Sequence, residues 1–328
     1  MINIAILGCG RIGQVHARSL GRMASARVAA VNDALPEAAD ALAAATGAPV
    51  MSIDQILADP GIDAVMIGTP TTTHYDLIHA AAASGKAVFC EKPIDLSVAR
   101  IRDCLAAVEK ASVPMFVAFN RRFDPNFATL QRQIREGAIG DVEMVTILSR
   151  DPSPPPIGYV KTSGGLFRDM MIHDFDMARF LLGEDPVELF AHGSCLVDPE
   201  IGEAGDIDTA AVILKTATGK ICQISNSRRA AYGYDQRIEV HGSKGMGRAD
   251  NQLETTVEIA SQSGFTKAPA QHFFLERYEA AYAAEMTHFV DCLNSGTKPS
   301  PSGEDGLKAQ MMADAADLSL CEGRPVTL

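Results

Sequence analysis

The first 120 residues alternate short apolar runs with helical patterns. Ile2-Asn3-Ile4-Ala5-Ile6-Leu7 is nearly all apolar, the pattern of a strand buried on both faces. The glycine-rich Gly8 to Gly13 follows, and a helical stretch runs on through Leu20. Val28 to Val31 predicts a second strand ending at Asn32-Asp33, and Pro36 to Thr46 an alanine-rich helix stopped by Gly47. Strands over 64–67, 87–90 and 115–119 and helices over 74–84 and 97–110 continue the alternation. Strand and helix in turn at this spacing predict βαβ units, hence a doubly wound α/β domain around a parallel sheet.

Beyond Asn120 the period changes. A helix over 126–136 precedes strand-like segments at 142–149, 187–197, 209–215, 220–227 and 236–241. Ala210 to Lys215 and Ile221 to Ser225 alternate apolar with polar positions, and Thr218-Gly219 supplies a hairpin turn between them. This predicts an α+β domain with a mostly antiparallel sheet. The expected division is 1–120 and 121–328. Pro152-Ser153-Pro154-Pro155-Pro156 reads as a rigid loop, and no repeat interrupts the chain.

Composition narrows the class. With 328 residues, 47% hydrophobic, and a mean hydropathy of +0.04, the chain has the material for packed cores and is not disordered. Twenty-nine basic against 41 acidic residues leave a net charge of −12, which repels nucleic acid and anionic membranes. The seven cysteines are scattered, with no C-x-x-C pair, so neither a disulfide framework nor a thiolate zinc site is indicated. No apolar run approaches the ~18 residues of a membrane span. Met1 leads within one residue into a strand, leaving no room for a signal peptide, so a reducing cytoplasm is the expected compartment.

Chemistry gathers where the predicted strands end. Gly8, Gly10 and Gly13 form G-x-G-x-x-G between a buried strand and a helix, where backbone amides can approach a pyrophosphate. Asp33 stands 20 residues past Gly13, placed to bond both ribose hydroxyls of NAD and to repel the 2′-phosphate of NADP. No basic residue among Ala34, Leu35 and Pro36 offsets that repulsion. Lys92, in Glu91-Lys92-Pro93, reads either as a donor to a developing alkoxide or as a solvated surface lysine. Asp169 and His173 are four apart, so one helix face would carry both, with Asp176 a further three along. They suit a general base held by a carboxylate; half a metal site without a third ligand, or a plain surface pair, remains open. Asn120-Arg121-Arg122, Arg150-Asp151 and the group Asn226, Arg228, Arg229, Tyr232, Tyr234 offer donors and acceptors for a polyhydroxylated substrate, or are ordinary polar loops.

Together these motifs resemble the glucose–fructose oxidoreductase and inositol dehydrogenase family. Its hallmarks occur here in order: G-x-G-x-x-G, Thr69-Pro70-Thr71-Thr72-Thr73-His74, Glu91-Lys92-Pro93 and the D-x-x-x-H-D of Asp169 to Asp174. The stretches 119–124, 149–152, 167–180 and 225–235 resemble its inositol-oxidising members in particular. The resemblance spans essentially the whole chain. It implies an N-terminal Rossmann domain and a C-terminal open-faced sheet through which a homotetramer forms. It implies Lys92, Asp169 and His173 as the catalytic set. The cofactor NAD would be held by Gly8, Gly10, Arg11, Ile12, Gly13 and Asp33, with Thr69, Pro70, His74, Glu91 and Lys92 near it. A polyol would be met by Lys92, Asn120, Arg121, Asp151, Asp169, His173, Tyr232 and Tyr234, without a metal. The expected reaction is NAD-dependent oxidation of a ring hydroxyl of myo-inositol. Another inositol isomer, a pyranose sugar, or a non-catalytic NAD sensor are the alternatives.

Overall fold

Five strands, β1 (Ile2–Leu7), β2 (Ala26–Asn32), β3 (Ala64–Ile67), β4 (Ala87–Cys90) and β5 (Met115–Val117), form a parallel sheet in the order β2-β1-β3-β4-β5 in the computed structural model, which describes residues 1–328. Every residue of β3, β4 and β5 is buried, as continuous apolar runs between two helical layers require. The chain winds from β1 to β2 in one direction and then crosses to β3 on the other side of β1. The order therefore reverses between β1 and β3, and open sheets bind ligands outside the carboxyl ends of such strands. Gly8, Asp33, Gly68 and Glu91 each lie just past such a carboxyl end.

The chain divides into two units, Met1–Phe123 with Ala280–Gln310, and Asp124–Glu279 with Met311–Leu328. This departs from the single expected division at residue 120. The cause is apolar: helix Glu279–Ser295 places Met286, Phe289 and Val290 in the same core as Ile6, Met66, Phe89 and Phe116. Phe289 meets Phe89 edge-on at 5.5 Å. The strand expected over 115–119 ends at Val117, and Asn120–Phe123 forms a single 3₁₀ turn.

In the second unit the strands are β6 (Val142–Arg150), β7 (Pro186–Ser194), β8 (Thr209–Thr216), β9 (Ile221–Ser227), β10 (Asp235–Gly242), β11 (Gly245–Ala249), the separate hairpin β12 (Glu258–Ser261) with β13 (Gly264–Lys267), and β14 (Val326–Thr327). The main sheet runs β11-β10-β6-β9-β8-β7-β14, and only the β6–β9 pair is parallel. Alternation along β8 buries Ala210, Val212 and Leu214 and exposes Ala211, Ile213 and Lys215. Register puts Met246, His241 and Met144 side by side on that exposed face, with Ile213 opposite Gln223. Met144, Ile213 and Met246 are all exposed. Asp124 caps helix Pro125–Arg135 by accepting the amides of Asn126 and Phe127, and it also pairs with Arg277; both side chains are buried. No helix is long and apolar enough to cross a membrane, and all seven cysteines are free thiols.

Candidate active site

The turn after β1 is built by sterics that exclude any side chain at two of its glycines. Gly8 has φ +99°, and a Cβ there would lie 2.6 Å from the Gly68 carbonyl carbon; one on Gly13 would lie 2.0 Å from the Gly8 carbonyl oxygen. Gly10 is different: a Cβ there would meet nothing within 4 Å, so its face is an open cradle. Helix Arg11–Gly21 begins at Gly10 with no side-chain cap and no acidic residue in its first turn. Its N-terminal amides and positive dipole end thus suit an anion. Asp33 is held at the end of β2, where its carboxylate accepts the Cys9 amide at 2.6 Å and the Leu35 amide at 2.9 Å.

The loops after β3 and β4 are joined through His74, which is buried. Its Nδ1 lies 2.9 Å from the Pro93 carbonyl and its Nε2 2.9 Å from the Thr69 carbonyl. Burial pulls this imidazole below its ordinary pKa, against the opposing effect of the two carbonyls. His74, expected near the cofactor, ties Thr69 to Pro93 through its two ring nitrogens. Thr73 reinforces the first loop, its hydroxyl donating to the Pro70 carbonyl at 2.8 Å. Glu91 lies 2.8 Å from His16 Nε2, and Lys92 is partly exposed at the same strand end. Asn120 and Arg121 are buried in the turn after β5. The first unit therefore gathers every expected cofactor residue, together with Lys92, on one edge of its sheet.

In the second unit Asp169 and His173 do not share one continuous helix, contrary to the expectation from their spacing. Helix Leu166–Asp169 closes when the Leu166 carbonyl accepts the amides of both Met170 and Met171, and a new helix, Ile172–Leu182, starts after Met171. Asp169 is the last residue of the first helix and His173 lies in the first turn of the second. Tyr159 donates to Asp169 Oδ1 at 2.8 Å, while Arg228 Nη1 stands 3.3 Å from Oδ2. Burial and the adjacent Asp169 carboxylate push the Tyr159 hydroxyl well above its ordinary pKa, so it stays a donor. The Arg228 side chain is only 1% exposed and also faces Asp206 at 3.8 Å. One buried guanidinium thus lies between two carboxylates.

Strand register explains the rest of the polar group. Arg150 pairs with Ser227 on β9 and with Asp235 on β10, which brings Asp151, Arg228 and Tyr232 toward one end of the sheet. There Tyr232 donates to Asp235 at 2.7 Å and accepts from Arg150 at 3.1 Å. Tyr234 is buried edge-on against Tyr278, and Asn226 donates to the buried Asp174 at 2.8 Å. Tyr159 carries no signal in sequence, being a lone aromatic after a proline loop. Arg228 is visible there only as one of several polar residues.

Comparison with known proteins agrees with both halves of this description. Residues 2–119 match the family model "Oxidoreductase family, NAD-binding Rossmann fold", and residues 127–248 match "GFO/IDH/MocA C-terminal domain". The chain is 54% identical to the inositol 2-dehydrogenase of Rhizobium meliloti (strain 1021), over 100% of this chain and 99% of that one. It is 45% identical to the myo-inositol 2-dehydrogenase of Thermotoga maritima, over 100% and 98%. A crystal structure from Sinorhizobium meliloti 1021 matches with a TM-score of 0.98 at 54% identity, covering 100% of this chain and 99% of that one. The scyllo-inositol dehydrogenase of Lactobacillus casei, crystallised with NAD(H) and scyllo-inositol, matches at 0.93 and 29% identity, covering 100% and 99%. The open Gly10 cradle and the fixed Asp33 carboxylate fit a dinucleotide bound by the first unit. By sequence, fold and site, the chain belongs to the GFO/IDH/MocA oxidoreductases and is an NAD-binding oxidoreductase.

Proposed function

We propose that the chain oxidises a ring hydroxyl of myo-inositol to the ketone, giving an inosose, NADH and a proton. The observation that carries this reading is the shared carboxyl edge of the first sheet, where the dinucleotide cradle after β1 and Lys92 after β4 are separated by the single strand β3. Bound NAD supplies the acceptor for the hydride leaving carbon. Lys92 holds the hydroxyl oxygen as negative charge develops on it. His173 takes the hydroxyl proton, and the Asp169 carboxylate, oriented by Tyr159 and Arg228, lies four residues before it to favour the resulting imidazolium. The relatives named for myo- and scyllo-inositol make isomer choice the point to test. NADH formation measured over myo-, scyllo- and chiro-inositol and glucose is expected to be fastest with myo-inositol. A higher kcat/KM for any other member of the panel overturns the assignment, and no turnover at all would leave a cofactor sensor.

Cofactor choice follows from Asp33. Repulsion between its carboxylate and a 2′-phosphate is expected to favour NAD over NADP by on the order of 10²-fold or more in kcat/KM. Asp33→Ala should narrow that gap while weakening NAD itself, because the Cys9 amide loses its acceptor. Equal use of both cofactors by the parent contradicts this role.

The exposed sheet face carrying Met144, Ile213 and Met246 is expected to be covered by further copies of the chain in a homotetramer. Light scattering at micromolar concentration checks it, and a monomer mass excludes it.

A further inference from the structure

Behind Glu91 lies a group of polar side chains that the proposed reaction leaves unused. Glu285, on helix Glu279–Ser295, is 0% exposed, and neither of its carboxyl oxygens has a hydrogen-bond partner. His16, on helix Arg11–Gly21, is equally buried, and its Nε2 lies 2.8 Å from Glu91 Oε1. A ligating atom from each of His16, Glu91 and Glu285 falls within 4.8 Å of the others. The His16 ring is edge-on to Phe89 at 4.8 Å and to Tyr282 at 5.8 Å. All three residues belong to the first unit.

An ionised carboxylate in such a place, beside a second carboxylate, is costly unless a cation or a proton compensates it. The 2.8 Å separation of His16 and Glu91 is that of a hydrogen bond. Two ligands of one tetrahedral zinc, each at about 2.0–2.1 Å, would stand roughly 3.4 Å apart. A proton is therefore the better compensation. We propose that Glu285 is a positioning residue for the reaction, a buried carboxylic acid that with His16 brackets the Glu91 side chain and so fixes the strand end presenting Lys92. Burial and the neighbouring Glu91 charge both push the Glu285 carboxyl well above its usual range, in keeping with this role. His16 donates to one side of Glu91, and the Glu285 hydroxyl is directed toward it across a gap that one water would bridge. The Glu91 amide is bonded to the Ile67 carbonyl at 3.0 Å, so both ends of the residue preceding Lys92 are held.

The inference rests on the reading that Lys92 acts on the hydroxyl being oxidised. Glu285→Gln keeps a neutral donor and acceptor of the same shape, whereas Glu285→Leu keeps only the volume. In the full-length NAD-bound enzyme, Glu285→Leu is expected to lower kcat on the order of 10²-fold through misplacement of Lys92, with NADH affinity unchanged. Glu285→Gln should restore kcat to within about threefold of the parent, the neutral-for-neutral replacement that hydrogen-bond bookkeeping favours. The infrared difference between parent and Glu285→Gln should show, at pH 8, the carbonyl stretch of a protonated carboxylic acid. Normal kcat in Glu285→Leu overturns the proposal, as does the absence of that stretch, which can be read even if the leucine variant fails to fold. If Glu285→Gln is as damaged as Glu285→Leu and the parent's activity follows added divalent cation and chelator, the group is a cation site and the proposal falls. A parent inactive on every polyol refutes the proposed function instead, while the infrared band still reports the protonation of Glu285.

Discussion

His173→Ala is expected to lower kcat on myo-inositol by 10²–10⁴, the usual range for a general base, with NADH affinity nearly unchanged. The residues proposed to hold the cofactor all lie in the other unit, so loss of the imidazole should touch proton transfer and not dinucleotide binding. Lys92→Ala should also cost turnover, by removing the donor to the developing alkoxide. Asp169→Asn is a more complex change than its spacing from His173 suggests. Its carboxylate also faces Arg228, which is 1% exposed, so neutralising it leaves a buried guanidinium with Asp206 alone at 3.8 Å. Asp169→Asn should therefore lower both kcat and thermal stability, whereas His173→Ala should lower kcat alone. Were the two merely a surface pair, each variant would cost at most about 1 kcal/mol and leave turnover intact. Rates and NADH affinities of the three variants, measured side by side, decide the matter. A near-normal kcat for His173→Ala would move the base to another residue.

Asp124→Ala should destabilise the second unit by about 3–5 kcal/mol, the penalty for leaving a buried partner charge uncompensated. Asp124 is 0% and Arg277 1% exposed in side chain, and a second contact joins Arg277 Nη2 to Asp124 Oδ1 at 3.3 Å. The substitution also strips the cap from helix Pro125–Arg135, whose first amides lose their acceptor. At about 2–4 °C per kcal/mol for a unit of this size, the melting temperature should fall by roughly 6–20 °C. Replacing Arg277 by Leu in the same chain should recover most of the charge penalty and none of the cap. Calorimetry on the two variants separates these contributions. A single variant as stable as the parent would show that the pair is hydrated and not desolvated.

The nucleotide half of the fold is legible in sequence because its constraints are local. Gly8 and Gly13 are dictated by backbone closer than 3 Å, and only glycine satisfies that whatever the rest of the chain does. The buried strands declare themselves as apolar runs of four to six residues. What is not legible depends on distant partners. The 166–180 stretch keeps a helical period throughout, yet its helix breaks between Asp169 and Ile172; Asp169 is engaged there by Tyr159, ten residues away, and Arg228, fifty-nine away. Glu285 carries no signal in sequence, because only the fold reveals that it is buried near Glu91. Tyr232 and Tyr234 read alike as polyol contacts, whereas one is half exposed and the other buried.

Helix Glu279–Ser295 has a consequence for synthesis. A ribosome delivers β5 early, yet Met286, Phe289 and Val290, which complete the apolar layer over Phe89 and Phe116, emerge about 170 residues later. At 5–20 residues per second that interval is roughly 10–30 s. For its duration the nascent sheet keeps two stacked phenylalanines, 4.8 Å apart, without their final cover. The nucleotide-binding half is thus the first to be made and among the last to be finished, which leaves it a substrate for chaperones throughout translation of the other half.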